Sequence, residues 1–385
     1  MVGLAITFFY VAWTLLTLAN SPAQDFIHAG RSFVERSHAS AVISSYSGPF
    51  DGTIGYDGQF MYFIALDPVH ARDYVDYPPY RYTRILYPLV AGALGNHDPN
   101  LVPYTLIAVN LAMIALGTLV LGAWLRRRGV SAWFALVYGF YPGIFITLQR
   151  DTSEAMAYSL AIVAIYLFDY GPRYRLVLSA ACFALAALTR ETTLVFAGIW
   201  ALGILLAGGG SPRARTATNW KRFLVFVAFA AGPLLVWKAF LLVSMGSLGL
   251  EGVLSPVPFG GVYYLIRHEI EQEQLRTVVI PGFLLLAAAI LALAAGVRRL
   301  EIWALLANTL LYMAFLANPS FADISSSGRV TVPIALAAAL AVPYIPRPAK
   351  PLLWGTAALW LAPMVYWLVL PVVFGLEHLI VHGGA

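Results

Sequence analysis

The acidic side chain of Asp57 is the best candidate for chemistry in this chain of 385 residues. It lies in the segment Gly55–Phe60, on the first long polar stretch of a mostly apolar sequence. A carboxylate can take a proton from a hydroxyl group, and beside a bilayer it could do so for a lipid-borne substrate. The spacing predicts a short amphipathic helix over 56–66, whose N-terminus would stabilise the ionised carboxylate. A simple helix cap at Asp57 fits the same spacing, and Asp51 is a second candidate base.

Two arginines follow in the same polar stretch. Arg81 and Arg84 lie three residues apart, so a helix would project both from one face. Guanidinium groups can grip phosphate oxygens in pairs, which makes this face a candidate for holding a lipid phosphate. The neighbouring tyrosines would lie in the headgroup region. Ordinary anchoring at a membrane interface produces the same pattern, and both interpretations stay open.

Charged residues also mark the ends of three apolar segments. They are Arg150, Asp151 and Glu154, then Arg190 and Glu191, and finally Arg329. Local ion pairs, such as Arg150 with Glu154, would explain each group taken singly. Several arginines on the same side as one long acidic loop instead suggest a site for a phosphorylated ligand. The seven histidines show no metal-binding spacing.

The composition assigns these residues to a membrane protein. Hydrophobic residues make up 60% of the chain and charged residues 11%, whereas a soluble protein carries about 25% charged residues. We predict an all-α, polytopic fold in one domain, residues 1–385, with about eleven helices crossing a hydrocarbon core of about 30 Å. Their predicted positions are 2–19, 101–125, 132–149, 154–169, 176–189, 192–207, 223–246, 278–297, 300–317, 330–344 and 352–374. The short pair 176–189 and 192–207 could instead be one re-entrant element.

Basic residues in short loops predict the orientation, because such loops stay in the cytoplasm. Five alternate loops are basic, which places the N-terminus in the cytoplasm. These loops hold Arg126 to Arg128, Arg173 and Arg175, Arg213 to Arg222, Arg298 and Arg299, and Arg347 with Lys350. The outer side then receives two long loops, 21–95 with interfacial helices and 247–277. It also receives 17 of the 19 acidic residues, ten arginines and no lysine, so we expect an active site on the outer face.

Other functional classes find little support in the sequence. The predicted cytoplasmic loops are too short for a nucleotide-binding domain, and neither a phosphate-binding glycine-rich loop nor a dinucleotide fingerprint occurs. Cys182 is the only cysteine and lies in an apolar run, which leaves no cysteine metal site. The net charge of +5 reflects the basic loops. We predict no cofactor, no indicated metal and no nucleic-acid partner.

Several short motifs resemble those of GT-C glycosyltransferases, polytopic enzymes that use polyprenyl-phosphate sugars at the outer face of a membrane. The likeness is to bacterial relatives of the GPI mannosyltransferase and dolichyl-phosphate-mannose families. The motifs are the acidic segment 56–60 with 64–65, the aromatic-Pro-Leu segment 84–89, the Ser-Glu element 153–155, the Arg-Glu turn 189–192 and the Arg-x-x-x-Pro span start 329–333. The chain departs from the family in having Tyr56 where relatives have tryptophan, and no histidine just after Asp57.

The resemblance implies inverting sugar transfer, without a metal, at the outer face of a bacterial plasma membrane. Asp57 would deprotonate the acceptor hydroxyl while polyprenyl phosphate leaves the sugar. The implied phosphate-binding residues are Arg329, Arg190, Arg84 and Arg81. Supporting or sugar-binding roles would fall to Glu191, Glu154, Asp151, Arg150, Tyr56, Gln59, Asp51 and Tyr87, with Tyr62 as a further lining residue. The partners would be a polyprenyl-phosphate lipid, the membrane and an unidentified acceptor.

Three other functions would use some of the same features. A transporter or flippase for an anionic lipid could use the outward arginines, but it needs charged groups along a path through both leaflets. The deep spans offer little beyond Lys238. A non-catalytic scaffold of the envelope would tolerate the loss of Asp57. Acyl or phosphoryl transfer would favour a histidine or metal centre, which the sequence does not indicate.

Overall fold

The described chain is built almost entirely of helices. The computed structural model describes residues 1–37, 54–206, 212–250, 255–267, 272–321 and 323–382. Within these residues the β pairing is limited to one isolated bridge between Ala29 and Gly55. The predicted all-α class is therefore confirmed.

The helices follow the apolar segments of the sequence closely. The first are α1 Val2–Leu18, α2 Arg31–Val34, α3 Gly58–Leu66, α4 Pro78–Tyr82, α5 Leu86–Leu94 and α6 Val102–Arg127. The middle ones are α7 Leu136–Gly139, α8 Pro142–Gln149, α9 Glu154–Tyr170, α10 Arg175–Thr189, α11 Leu194–Leu206 and α12 Pro212–Met245. The last are α13 Gly260–Arg267, α14 Gln272–Gln274, α15 Ile280–Ala294, α16 Leu300–Phe315, α17 Ile324–Val330, α18 Val332–Ala341, α19 Lys350–Met364 and α20 Leu370–His382. Single π-helical turns continue α14 into α15 and α19 into α20.

Four helical segments of the described residues are long and apolar enough to cross a membrane. They are Val102–Arg127, Asn219–Met245, Gln272–Ala294 and Arg347–Leu376. Two bent pairs, 132–149 with a 53° bend and 324–344 with a 42° bend, bring the number to six if each pair is one span. Pro142 and Pro333 lie in the first turn of the second helix of each pair, where proline is tolerated although it would interrupt a helix interior. Four to six apolar spans make the chain compatible with a multi-pass membrane protein.

The other five predicted spans are shorter helices. α1, α9, α10, α11 and α16 contain 17, 17, 15, 13 and 16 residues. The starts of α10 and α12 line one cavity, whereas Arg190 after α10 and Lys238 late in α12 both reach the end of the bundle that carries Asp57. We call this end the site end. Since α11 connects the end of α10 to the start of α12, α10 and α11 run in opposite directions.

The first long loop has its own apolar core at the site end. The helix predicted over 56–66 exists as α3, but eight consecutive residues of it, Gly58–Ala65, are buried. The sequence predicted an amphipathic helix with one apolar side, and that prediction is wrong because α4, α5 and α6 enclose α3 together with the rest of the loop. A helix that is hydrophobic all round belongs in a core. The segment that carries Asp57 is therefore held inside the fold.

A separate ion cluster lies at the opposite end of the bundle. Arg128 contacts Asp169 and lies 3.7 Å from Glu301, and Trp124 Nε1 donates to Asp169 at 2.8 Å. Asp169 and Glu301 are the two acidic residues that the predicted topology leaves on the cytoplasmic side, whereas it places the other 17 outside. Their contacts fasten the adjoining ends of α6, α9 and α16.

Candidate functional site

Asp57 lies where two turns of the chain pack tightly together. A Cβ atom at Gly58 would lie 2.2 Å from the carbonyl oxygen of Arg150, so the close approach requires glycine. Asp57 occupies the N-cap position of α3, yet its side chain accepts no hydrogen bond from the first helical turn. The prediction that the Asp57 carboxylate acts as a helix cap is therefore wrong, because this carboxylate contacts arginines instead.

Two arginines from distant segments hold the Asp57 carboxylate. Oδ2 contacts Nη2 of Arg329, and Oδ1 accepts a hydrogen bond from Nη1 of Arg81 at 2.8 Å. Burial by itself would raise the pKa of Asp57, but the charges of Arg329, Arg81 and Arg84 outweigh it and hold the pKa well below its usual range. The side chain is 21% exposed. An ionised carboxylate is thus both fixed and partly open to solvent.

Arg329 connects three partners through its three guanidinium nitrogens. Besides Asp57, it donates from Nε to the hydroxyl of Tyr56 at 3.0 Å and from Nη1 to Glu154 Oε1 at 3.1 Å. It lies on α17, whose start is capped by Asp323 accepting from the backbone N–H of Ser326 at 2.7 Å. This short helix therefore presents one cation to two acidic residues that are far away in sequence.

Glu154 and Arg190 form the buried side of the site. Glu154 is the first residue of α9, its side chain is fully buried, and its Oε1 contacts both Arg190 and Arg329. Arg190 follows the last residue of α10 in an extended conformation, which breaks the helix and turns its side chain toward Glu154. The alternative of a local pair between Arg150 and Glu154 is wrong, because the ion pairs of Glu154 join three helices.

Arg81 and Arg84 are the remaining arginines of the site. Arg81 lies in α4, and Arg84 follows the C-cap residue of that helix. Arg81 binds Asp76 through Nε at 2.6 Å and Nη2 at 3.0 Å, and its guanidinium lies 4.1 Å from the ring centre of Phe60. Arg84 donates to the hydroxyl of Tyr80 at 2.7 Å and lies 3.6 Å from Glu191. Four arginines thus meet four carboxylates in one region. These are Arg81, Arg84, Arg190 and Arg329 with Asp57, Asp76, Glu154 and Glu191; we call them the charge cluster.

Arg150 and Asp151 lie beside and beneath the charge cluster. Arg150 Nη1 lies 2.8 Å from Nδ1 of His28, and its guanidinium lies 5.1 Å from the ring centre of Tyr56. Burial and the charge of Arg150 lower the pKa of His28 to about 3, so the imidazole is neutral. Asp151 is fully buried, and burial raises its pKa well above the usual range. Because it is fully buried, it lies beneath the site and is not a surface residue that could bind a sugar.

Gln59 and Tyr87 support the fold instead of lining the site. Gln59 accepts from the backbone N–H of Gly30 at 2.9 Å and donates to the carbonyl of Ile54 at 2.8 Å. These hydrogen bonds hold two segments of the loop together. Tyr87 is fully buried and donates to the carbonyl of Leu106 at 3.0 Å. Tyr62 is also buried, with its hydroxyl bonded to Pro99 at 3.0 Å. Asp51 lies outside the described residues.

Three further residues belong to the charge cluster or border it and were not predicted from the sequence. His28 packs on Arg150, Tyr80 accepts from Arg84, and Asp76 holds Arg81. No spacing signal marks His28 or Asp76. Tyr80 sits one residue before Arg81 and four before Arg84, so a one-turn helix model could have found it.

Apolar cavities open beside the charge cluster. One of about 590 Å³ has Arg150 and Gln149 at its polar end and is otherwise lined by apolar and aromatic side chains, including Trp13, Phe145 and Phe374. A second, of about 720 Å³, shares Tyr366 and Trp367 with the first. Both volumes lie in the range of small-ligand sites. The first cavity borders the Arg150 side of the cluster, and the second continues from it past Tyr366 and Trp367 to Glu273 and Arg276.

In comparisons with known proteins, the chain matches no family model, no curated protein and no solved structure. Across the part of the chain that the structure describes, no three His, Cys, Asp or Glu side chains group together as metal ligands.

Proposed function

We propose that this chain is a membrane glycosyltransferase that moves a sugar from a polyprenyl-phosphate donor to a hydroxyl acceptor. The observation that carries the proposal is the partly exposed, ionised Asp57 among four arginines drawn from three separate segments. A carboxylate can accept a hydroxyl proton, and guanidinium groups can stabilise a departing phosphate.

In the proposed reaction, Asp57 takes the proton of the acceptor hydroxyl as its oxygen attacks the anomeric carbon. The bond from that carbon to the phosphate oxygen breaks, and polyprenyl phosphate leaves with the electron pair. Arginines that are already oriented stabilise the negative charge that develops on the phosphate, so little reorganisation of the site is required. Attack opposite the leaving group inverts the anomeric centre.

The proposal includes the finer membrane architecture. It comprises a GT-C-like arrangement with eleven spans, a cytoplasmic N-terminus and a site on the outer face of the bacterial plasma membrane. The basic loops support this orientation. The largely apolar cavity next to Arg150 supports binding of a prenyl chain beside the charge cluster. The sugar, the acceptor and the prenyl length are left to experiment, and no metal or cofactor is part of the proposed reaction.

The arrangement of charges favours transfer over the alternative of a lipid transporter. Among the described residues, the ion pairs within the bundle gather at its two ends. Glu154 and Asp169 stand near opposite ends of α9, which at about 1.5 Å per residue separates them by roughly 20 Å. Lys238, the one deep cation noted in the sequence, donates to Thr83 at 2.8 Å and to the carbonyl of Leu248 at 2.6 Å, so it belongs to the site end.

An assay with purified protein separates these two functions. The protein in detergent micelles, which have no compartments, is given labelled polyprenyl-phosphate sugars and an acceptor extract from a strain that lacks the gene. A glycosyltransferase produces a new labelled product and free polyprenyl phosphate. Movement of intact donor between leaflets of proteoliposomes, with no covalent product in micelles, would overturn the proposal in favour of a transporter.

A further inference from the structure

A base held by two arginines is poorly suited to accept a proton. Arg329 and Arg81 lower the pKa of Asp57 because they stabilise its ionised form. The charge cluster is also balanced as it stands, with four guanidinium groups and four carboxylates. A bound phosphate would add negative charge, so one of the existing pairs must open to receive it.

Burial identifies the pair that opens. Of the two carboxylates on Arg329, Glu154 has a fully buried side chain and Asp57 a side chain that is 21% exposed. An anion arriving from solvent therefore reaches Arg329 by way of Asp57. Arg81 would keep its place in this exchange, because Asp76 holds its Nε and Nη2 at 2.6 and 3.0 Å while only Nη1 is given to Asp57.

We propose that the phosphate of the lipid-linked donor takes the position of the Asp57 carboxylate between Arg329 and Arg81, so that donor binding itself releases the base. The inference rests on the proposed function and adds the binding position of the phosphate and the order of events. The Asp57 carboxylate occupies a phosphate site in the unliganded protein. It is displaced toward solvent, where the acceptor hydroxyl arrives.

The exchange changes the basicity of Asp57 in the required direction. The Asp57 carboxylate moves away from two cations, and a phosphate anion takes its former position nearby. Both changes raise the affinity of the carboxylate for a proton. The hydroxyl proton then passes to Asp57 as the new bond forms between the acceptor oxygen and the anomeric carbon. The bond between the anomeric carbon and the phosphate oxygen breaks. The leaving phosphate gains one negative charge, which Arg329 and Arg81 are placed to stabilise.

Binding of farnesyl phosphate to the full-length protein in lipid nanodiscs tests this exchange without requiring turnover. Asp57→Asn should bind farnesyl phosphate about tenfold more tightly than the wild type, because no ion pair must be broken at Arg329. Asp67→Asn is the matched control, since Asp67 lies in the same loop and contacts His70 but none of the four arginines. It should leave the affinity within about twofold of wild type, a change no larger than distant surface charges produce. Farnesol, which lacks the phosphate, corrects for binding of the prenyl chain.

The variant is expected to fold, since the Asp57 side chain makes no cap hydrogen bond that Asn would lose. Asp57→Ala provides a second neutral variant with the same expected tightening. If the wild type binds farnesyl phosphate but both neutral variants bind it equally or more weakly, the exchange is overturned while the proposed function stands. If the wild type prefers farnesyl phosphate no more than farnesol, both the exchange and the proposed function are overturned.

Discussion

At Arg329 one side chain links the three groups on which the site depends. Its nitrogens face Tyr56, Asp57 and Glu154, which lie at the starts of two different helices. Guanidinium is planar and carries five N–H donors, so it can satisfy several acceptors at fixed angles, whereas an ammonium is a point charge. The residue therefore acts as a geometric connector as well as a source of positive charge.

Arg329→Lys keeps the charge and should lower sugar transfer by about a hundredfold, in the range seen when one transition-state donor is removed. Lysine cannot reach Tyr56, Asp57 and Glu154 together, so the phosphate and the base lose their common support. Initial rates of purified protein with a labelled donor measure the effect. Arg72→Lys is the control, because Arg72 is half-exposed and forms its ion pair within the described residues with the exposed Asp73. Equal rates for both variants would remove Arg329 from the site.

The ion pairs of Asp57 also predict how stability depends on pH. The folded-state pKa of Asp57 is depressed, so the stabilisation is fully present above the unfolded pKa of about 3.9 and is lost as the pH falls through the lower folded value. Asp57→Asn should therefore be less stable than wild type by about 1 to 3 kcal/mol at neutral pH. Thermal unfolding should show a constant difference from about pH 8 to pH 5 and a smaller one below about pH 4. A difference that grows on acidification would contradict these ion pairs.

The residue types in the sequence predicted which residues belong to the site, but they did not predict which of these residues pair with each other. Asp57 and the four arginines were found because carboxylates and guanidinium groups are rare in an apolar chain. The pairing of Asp57 with Arg329 spans 272 positions, and no local spacing carries such a contact. Gln59 and Tyr87 were assigned to the site from their position in short motifs, yet their hydrogen bonds go to the backbone of the fold.

At the scale of elements, helix ends place four charged groups of the site. Asp57 precedes α3, Arg84 follows α4, Glu154 begins α9 and Arg190 ends α10. Helix ends are where a polar side chain can leave an apolar bundle at the least cost. Turns that pack closely then bring these ends together.

Gly58→Ala tests the closest of these contacts. A methyl group at this position would lie 2.2 Å from the carbonyl oxygen of Arg150, so the start of α3 must move away and carry Asp57 with it. We expect transfer to fall by at least about tenfold, because small misplacements of reacting groups are costly. Gly232→Ala in α12 is the control, since its Cβ would contact nothing within 4 Å. It should be neutral, and equal activity of the two variants would show that the close approach does not position Asp57.

The positions of the helices were largely predictable from the sequence. Their bends and the extent of their burial were not. Hydropathy located a helix in each of the eleven predicted segments. It predicted 132–149 as one span without indicating the 53° bend that the structure shows between Gly139 and Pro142. It also assigned α3 one apolar face, because the amount of chain that encloses a short helix cannot be read from that helix alone.

At the scale of the whole molecule, two layers of charge lie on either side of an apolar bundle. The charge cluster occupies the site end, and Arg128 with Asp169 and Glu301 occupies the other. The cluster at the opposite end has an evident structural role, since it fastens three helices. This polarity matches the partition of acidic residues in the sequence and gives the molecule one chemically distinct end.

The predicted orientation can be tested with single cysteines in a Cys182→Ala background. Val69→Cys lies at the site end and Tyr174→Cys between α9 and α10 at the opposite end, and the native residues are 62% and 68% exposed. We expect a membrane-impermeant maleimide to label the Val69→Cys variant in intact cells and the Tyr174→Cys variant only after permeabilisation, because basic loops remain cytoplasmic. The reverse pattern would place the site end inside the cell.

The most direct test of the central claim is sugar transfer by Asp57→Asn. Mass spectrometry first identifies the lipid-linked sugar and the glycan that change when the gene is deleted, and each variant is then returned to that strain. Asp57→Asn should lower formation of the product by at least about a hundredfold, as expected for loss of a general base, while Asp67→Asn restores it. If Asp57→Asn, present in the membrane at normal yield, restored the product at an undiminished rate, Asp57 would not be the base.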